Sequence, residues 1–234
     1  MTDTPLRTPL QVGFYASLAL AVLTFMAFGL GMMAVPPAGP YCPGDCMNYP
    51  YLELLKYYPR DYLWMYVTVF QLCAFLIVMI ANHFITPREK SIFSFISVAF
   101  TLMSATVLLG NYFLQFSVVP ISVLKNQREG IALLTQYNGA GIFIALEEVG
   151  FFLMSIAFAF LAPAFPGTSR LEKSIRATLA VPVFLTFAAF IYYTVKFGLD
   201  RDYRFEVAAI SINWTAAIVL GILFSIFYRR KLEN

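Results

Sequence analysis

The residues best placed to do chemistry in this chain are acids and carboxamides set inside apolar runs. Glu147 and Glu148 stand side by side in GIFIALEEVGFF (141–152), whose other residues are apolar or glycine, in a chain of which only 12% is charged. Gln71, Asn111, Gln115 and Asn213 interrupt three further apolar runs. An ionised carboxylate in such surroundings costs several kcal/mol unless it is protonated or finds a basic partner. The pair therefore reads as the counter-charge of a cationic ligand, as an acid–base couple, or as a tie to a basic side chain. Lys196, Arg201 and Arg204 are the candidates for that tie.

The elements that must position these groups follow from composition. The chain is 60% hydrophobic and 17% aromatic, with a mean hydropathy of +0.73, whereas a soluble domain is about 45–50% apolar and about 25% charged. Apolar stretches of roughly 20 residues, enough to cross a hydrocarbon core as helix, recur along its whole length. Six are expected, at 14–35, 63–84, 93–118, 139–164, 177–197 and 207–228. Unpaired backbone is not tolerated in lipid, so each must be a helix. The reading is an all-α, polytopic integral membrane protein forming one domain over 1–234, with the bilayer as its first partner. The first span is about 22 residues long, more than the 7–15 of a signal-peptide core, and is read as a permanent helix. A net charge of +3 spread over the loops offers no nucleic-acid surface. No glycine-rich phosphate loop, haem-ligand pair or metal cluster points to a cofactor.

An even number of spans puts both termini on one side. With that side inside, nine basic residues lie within and seven outside. The inner connections 85–92 and 165–176 are short and basic, and YRRK follows the last span. Since short basic loops stay in the cytoplasm, both termini are expected there, in a cell (plasma or inner) membrane. Cys42 and Cys46, in YCPGDC, then fall in the first outer loop. A disulfide between them is geometrically feasible and would persist there. Two thiols with no nearby histidine make only half a zinc site. Cys73, within a span, reads as a small packing residue. His83, the only histidine, lies at the inner boundary, about 20 Å or more from the acids along the bundle axis.

Depth connects the polar groups. Gln71 is about 12 Å from the outer end of its span, Asn111 about 10 Å, and Glu147, Glu148 and Asn213 about 9–14 Å. Four helices thus bring polar side chains to one level in the outer half, which suits a pocket open to one side better than a through-going pore. On the third span Ser94, Ser97, Thr101, Ser104, Leu108, Asn111 and Gln115 fall at intervals of three and four and share one face, as helix-packing residues or, for the two amides, as pocket lining. On the fourth, Gly141, Ala145, Glu148, Phe152, Ser155 and Ala159 make a stripe whose small residues suggest the packed side. Glu148 is therefore expected to face the bundle, and Glu147, rotated by about 100°, to turn toward Phe143, Gly150 and Met154.

The connections carry less. The first outer loop, 36–62, suits an interfacial aromatic segment or a lid. The second, 119–138, suggests a short helix, and FGLDRDYRFE (197–206) reads as a solvated turn with local ion pairs. ALEEVGFF (145–152) is similar to the Pro-x-Glu-Glu stretch with paired aromatics of membrane-embedded lycopene cyclases, with alanine at the proline position. That resemblance covers eight residues and implies an isoprenoid substrate, with Glu147 and Glu148 as the catalytic acids. Integral-membrane CAAX proteases are excluded, because Phe152 stands where their arginine belongs and a second histidine is lacking.

Three functions remain open from the sequence. The first is an outward-facing intramembrane pocket that binds or transports a small cationic or amphipathic molecule, with Glu148 as its main charge and Glu147, Asn111, Gln115, Gln71 and Asn213 around it. The second is an enzyme on a lipid or isoprenoid substrate using the paired glutamates. The third is a structural or accessory membrane subunit.

Overall fold

Leu10, Gly13, Ser17, Leu20, Thr24 and Ala27 recur at three- and four-residue intervals, and this stripe is the buried side of the first helix, α1 (Arg7–Met33). The same logic of an inward stripe and an outward apolar surface builds the rest of the computed structural model, which describes residues 7–35, 37–42 and 44–233. The helices that follow are α2 (Leu63–Ile85), α3 (Ser91–Ser117), α4 (Val119–Leu124), α5 (Ile131–Leu134), α6 (Ile142–Leu161), α7 (Arg170–Phe197) and α8 (Tyr203–Glu233). No strand occurs among the described residues. Six helical segments, all but α4 and α5 at their centres, are long and apolar enough to cross a membrane.

These six close into a ring. α1 lies between α2 and α8, α2 packs on α3, α3 on α6, and α6 and α7 both on α8. The chain ends of α1, α3 and α7 meet the starts of α2, α6 and α8 at one end of the bundle, which carries the two longest connections, α1 to α2 and α3 to α6.

Element boundaries differ from the hydropathy limits where local chemistry decides. α7 starts at Arg170, not 177, because Ser169 and Glu172 form a capping box: the Glu172 amide donates to Ser169 Oγ at 3.1 Å and the Ser169 amide donates to Glu172 Oε2 at 3.2 Å. α8 starts at Tyr203, so part of the expected solvated turn is the first turn of a helix. The second long connection folds as two short helices, α4 and α5, rather than one. The first holds 3-10 turns at Gly39–Tyr41, Leu52–Tyr57 and Arg60–Tyr62. Cys42 and Cys46 are joined as a disulfide there, their Cα atoms 5.9 Å apart. Cys73 is exposed on the outside of α2, not packed in the core.

The polar face expected on α3 is buried throughout, from Ser94 to Gln115. Its contacts with α6 form a ladder of seven-residue steps. Ser97 Oγ donates to the Ala157 carbonyl at 2.7 Å, Ser104 Oγ to the Gly150 carbonyl at 2.7 Å, and Asn111 Nδ2 to the Phe143 carbonyl at 2.9 Å. Two antiparallel helices repeating every seven residues stay in phase over this length. At the centre rung Gly150 leaves room for Leu108, whose side chain would lie 2.5 Å from any Cβ placed there. Intramembrane hydrogen bonds average about 0.6 kcal/mol each. Replacing Ser97, Ser104 and Asn111 together by alanine should therefore lower stability by about 2 kcal/mol, read as a shifted midpoint of reversible unfolding in mixed micelles.

Candidate ligand-binding site

Where α1 ends and α2, α6 and α8 begin, the helices enclose a cavity of about 130 Å³. Its deep wall is made of buried side chains: Trp64 from α2, Phe143, Ile144 and Glu147 from α6, and Tyr203, Glu206 and Trp214 from α8. α1 adds Phe28, Gly31 and Met32, and the connections add Tyr41 and Gln136. The aromatic groups interlock edge to face, with Trp64 and Trp214 centroids 6.0 Å apart and Phe28 and Trp214 5.9 Å apart.

Two carboxyls give this apolar space its character. Glu147 is fully buried; Tyr112 Oη donates to its Oε1 at 2.8 Å, and its Oε2 has no protein partner. Glu206 is 6% exposed and lines the same cavity, its carboxyl a near neighbour of that of Glu147 with no hydrogen bond formed between them. Among the described residues neither forms an ion pair with a basic side chain. A buried acid is normally paired or hydrogen-bonded at both oxygens. Two acids side by side without a base are a polar centre still short of a counter-charge.

The adjacent glutamate has its base. Arg201 Nη2 donates to Glu148 Oε2 at 2.7 Å, and the guanidinium also lies against the rings of Phe190 and Phe205, 5.0 and 5.6 Å from their centroids. Glu148 does not line the cavity, contrary to the expectation that it is the one to face the bundle, whereas Glu147 turns toward Phe143, Gly150 and Met154 as expected. The buried stripe of α6 is Phe143, Glu147, Gly150, Phe151, Met154 and Phe158. Gly150, packed under Leu108, sets that face, while Ala145 is exposed and Gly141 packs on the carbonyls of Leu133 and Asn138.

None of the four amides lines this cavity. Asn111 is the last rung of the α3–α6 ladder. Asn213 Nδ2 donates within α8 to the Ala209 carbonyl at 2.9 Å and reaches Thr186 Oγ1 on α7 at 3.4 Å. Gln71 is fully buried on α2 with neither amide atom bonded to protein. Gln115 Nε2 donates to the Leu134 carbonyl, and its Oε1 accepts from the Gln136 amide at 3.0 Å.

Gln115 does contribute indirectly, by pinning the segment that roofs the cavity. Tyr203 Oη donates to the Gln136 carbonyl at 3.1 Å, and Gln136 Nε2 reaches the Asp61 carbonyl at 3.4 Å. Tyr137 Oη donates to Oδ2 of buried Asp61 at 3.1 Å, while Arg60 Nε holds Oδ1 at 2.7 Å. Burial pushes the Tyr137 phenol well above its ordinary value, so it remains a donor across the physiological range. Tyr137→Phe leaves one Asp61 oxygen without this donor and should cost about 1–3 kcal/mol, seen as a lower Tm in detergent.

Sequence reasoning missed Glu206, Tyr203, Gln136 and Tyr112. A signal existed for the first. Glu206, Ala209 and Asn213 fall at intervals of three and four, and all three are buried on α8. Reading the alternating charges of 200–206 as a loop concealed it.

The chain matches no family model, no curated protein and no solved structure. What fold and site define is an all-helical chain with six helices able to cross a membrane and an aromatic, carboxylate-bearing cavity near one end of the bundle.

Proposed function

We propose that this is a multi-pass protein of the cell membrane, with both termini cytoplasmic, whose cavity binds a small organic cation from the outer half of the bilayer. The observation that carries this reading is the Glu147–Glu206 pair, buried among aromatic rings with no base beside it. A monovalent cation about 4 Å from one carboxylate gains about 4 kcal/mol at an effective dielectric near 20. Aromatic faces add about 0.5–2 kcal/mol when the cation is poorly hydrated. The aromatic term and the smaller cost of leaving water favour an alkylated ammonium over a small, tightly hydrated ion. An isoprenoid enzyme is less well supported: a space of about 130 Å³ does not enclose a long chain, and Glu148 is committed to Arg201. Sidedness rests on the short basic connections and on Arg229, Arg230 and Lys231 at the end opposite the disulfide.

The test uses Trp64 and Trp214, the only two tryptophans, both of which line the cavity. Purified protein in nanodiscs is titrated with choline and with its neutral isostere 3,3-dimethylbutan-1-ol while tryptophan emission is followed. A saturable response to choline at least about tenfold tighter than to the alcohol is expected, about 1.4 kcal/mol of charge recognition. Equal responses to both would mean that the cavity reads only apolar shape, and the cation reading would fail.

A further inference from the structure

The cavity is narrowed at the end of the bundle, where half-exposed Tyr41 lines it, and it reaches the flank between α1 and α8. At the end, Tyr203 is tied to the Gln136 carbonyl, and Gly39 sits so close to the Tyr203 ring that a Cβ there would lie 2.5 Å from it. The exposed lining residues include Met32 on α1 and Val207 on α8, 68% and 41% exposed, with half-buried Phe28 and Ile210 one turn further along the same two helices. A rim that follows successive turns of two neighbouring helices is a slit between them. It lies in the seam which, farther along, is shut by Gly221 against Ser17 and Ala21. All four rim residues are apolar, and their outward side is the surface that α1 and α8 offer to hydrocarbon.

From this arrangement, and resting on the cation reading above, we infer that the ligand is an amphiphile: a quaternary ammonium head group at Glu147 and Glu206, with its alkyl chain leaving sideways between α1 and α8 into the bilayer. A freely hydrated cation entering by this slit would pass Phe28, Met32, Val207 and Ile210 with only the Ser211 hydroxyl nearby to replace its water. An amphiphile lying in the outer leaflet has its head group above the acids and need only draw it down the slit, its chain staying in lipid throughout. The modest cavity volume then fits the head group alone, which is all it needs to hold.

A homologous series of n-alkyltrimethylammonium ions, from ethyl to dodecyl, decides the matter in nanodiscs by tryptophan emission. Lateral binding predicts that the apparent affinity rises about three- to fourfold per methylene over the shorter members, the increment expected for a methylene leaving water. The saturable signal should disappear in the Glu147→Gln/Glu206→Gln double variant. If that variant does not fold, Glu206→Gln alone serves, with an expected loss of about tenfold. A Glu147-dependent response that is no tighter for dodecyl- than for ethyltrimethylammonium overturns the inference and leaves the cation reading standing. A chain-length series with no carboxylate dependence overturns both.

Discussion

Glu147→Gln should weaken binding of choline or an alkyltrimethylammonium ion by about 30- to 150-fold while leaving the helical bundle intact. The substitution preserves shape, and the Tyr112 hydroxyl can still donate to the amide oxygen as it does to Oε1. What is lost is one of the two carboxyls that can supply the counter-charge in a water-poor site, and removing one partner of a buried charged contact costs about 2–5 kcal/mol. The lower part of that range applies because Glu206 remains beside it. Glu148→Gln is the informative contrast. It disturbs only the contact with Arg201, which sits outside the cavity, so affinity should change less than about threefold, with a stability loss of about 1 kcal/mol for a partly exposed pair. Measured Kd values by tryptophan titration and Tm values for both variants separate the roles. Equal losses of affinity for the two would mean that the adjacent glutamates work as a couple, contrary to the geometry.

Gly221→Val should be the most damaging single change to the fold. A Cβ at Gly221 would lie 2.7 Å from the Ser17 carbonyl oxygen and 2.8 Å from the Ala21 amide nitrogen, both backbone atoms of α1. Backbone cannot swing aside as a side chain can, so α1 and α8 must move apart along the seam they share. Overpacking of this kind costs about 1–3 kcal/mol and occasionally more, and the upper end is expected here. Gly29→Ala on α1 is the control, since a Cβ there meets nothing within 4 Å. It should be neutral or slightly stabilising, by up to about 1 kcal/mol from helix propensity. Unfolding in mixed micelles gives both numbers, and a Gly221 variant as stable as the Gly29 variant would mean that α1 and α8 are not in contact there. Because the cavity lies in the same seam, the Gly221 variant should also bind ligand poorly.

Much of this architecture was legible from the residues alone. Six apolar runs translate into six long helices because lipid permits no other backbone, and the Ser94-to-Gln115 face follows from helical periodicity without knowledge of its partner. That Gln71, Asn111, Glu147 and Asn213 fall inside helices was also readable. Which way each side chain turns was not, because it depends on how helices pack rather than on where they sit. Glu147 and Glu148 show the difficulty most clearly: they are neighbours in sequence, about 100° apart around α6, and the choice between them is made by Leu108 settling over Gly150. Glu206 was hidden for another reason. A helix that begins amid alternating charges, at Tyr203, looks like a turn until its later residues are read in the same phase.

The ladder between α3 and α6 has a consequence for how the protein can change over evolutionary time. Its three donors are side chains on α3, but every acceptor is a main-chain carbonyl of α6, at residues 143, 150 and 157. A carbonyl is present whatever amino acid occupies the position, so apart from Gly150, which must leave room for Leu108, these bonds do not depend on the side chains α6 carries. Positions such as Phe143 and Ile144 can therefore be exchanged for others without the helix losing its place. Such a frame lets selection retune what the cavity accepts while the scaffold around it stays the same.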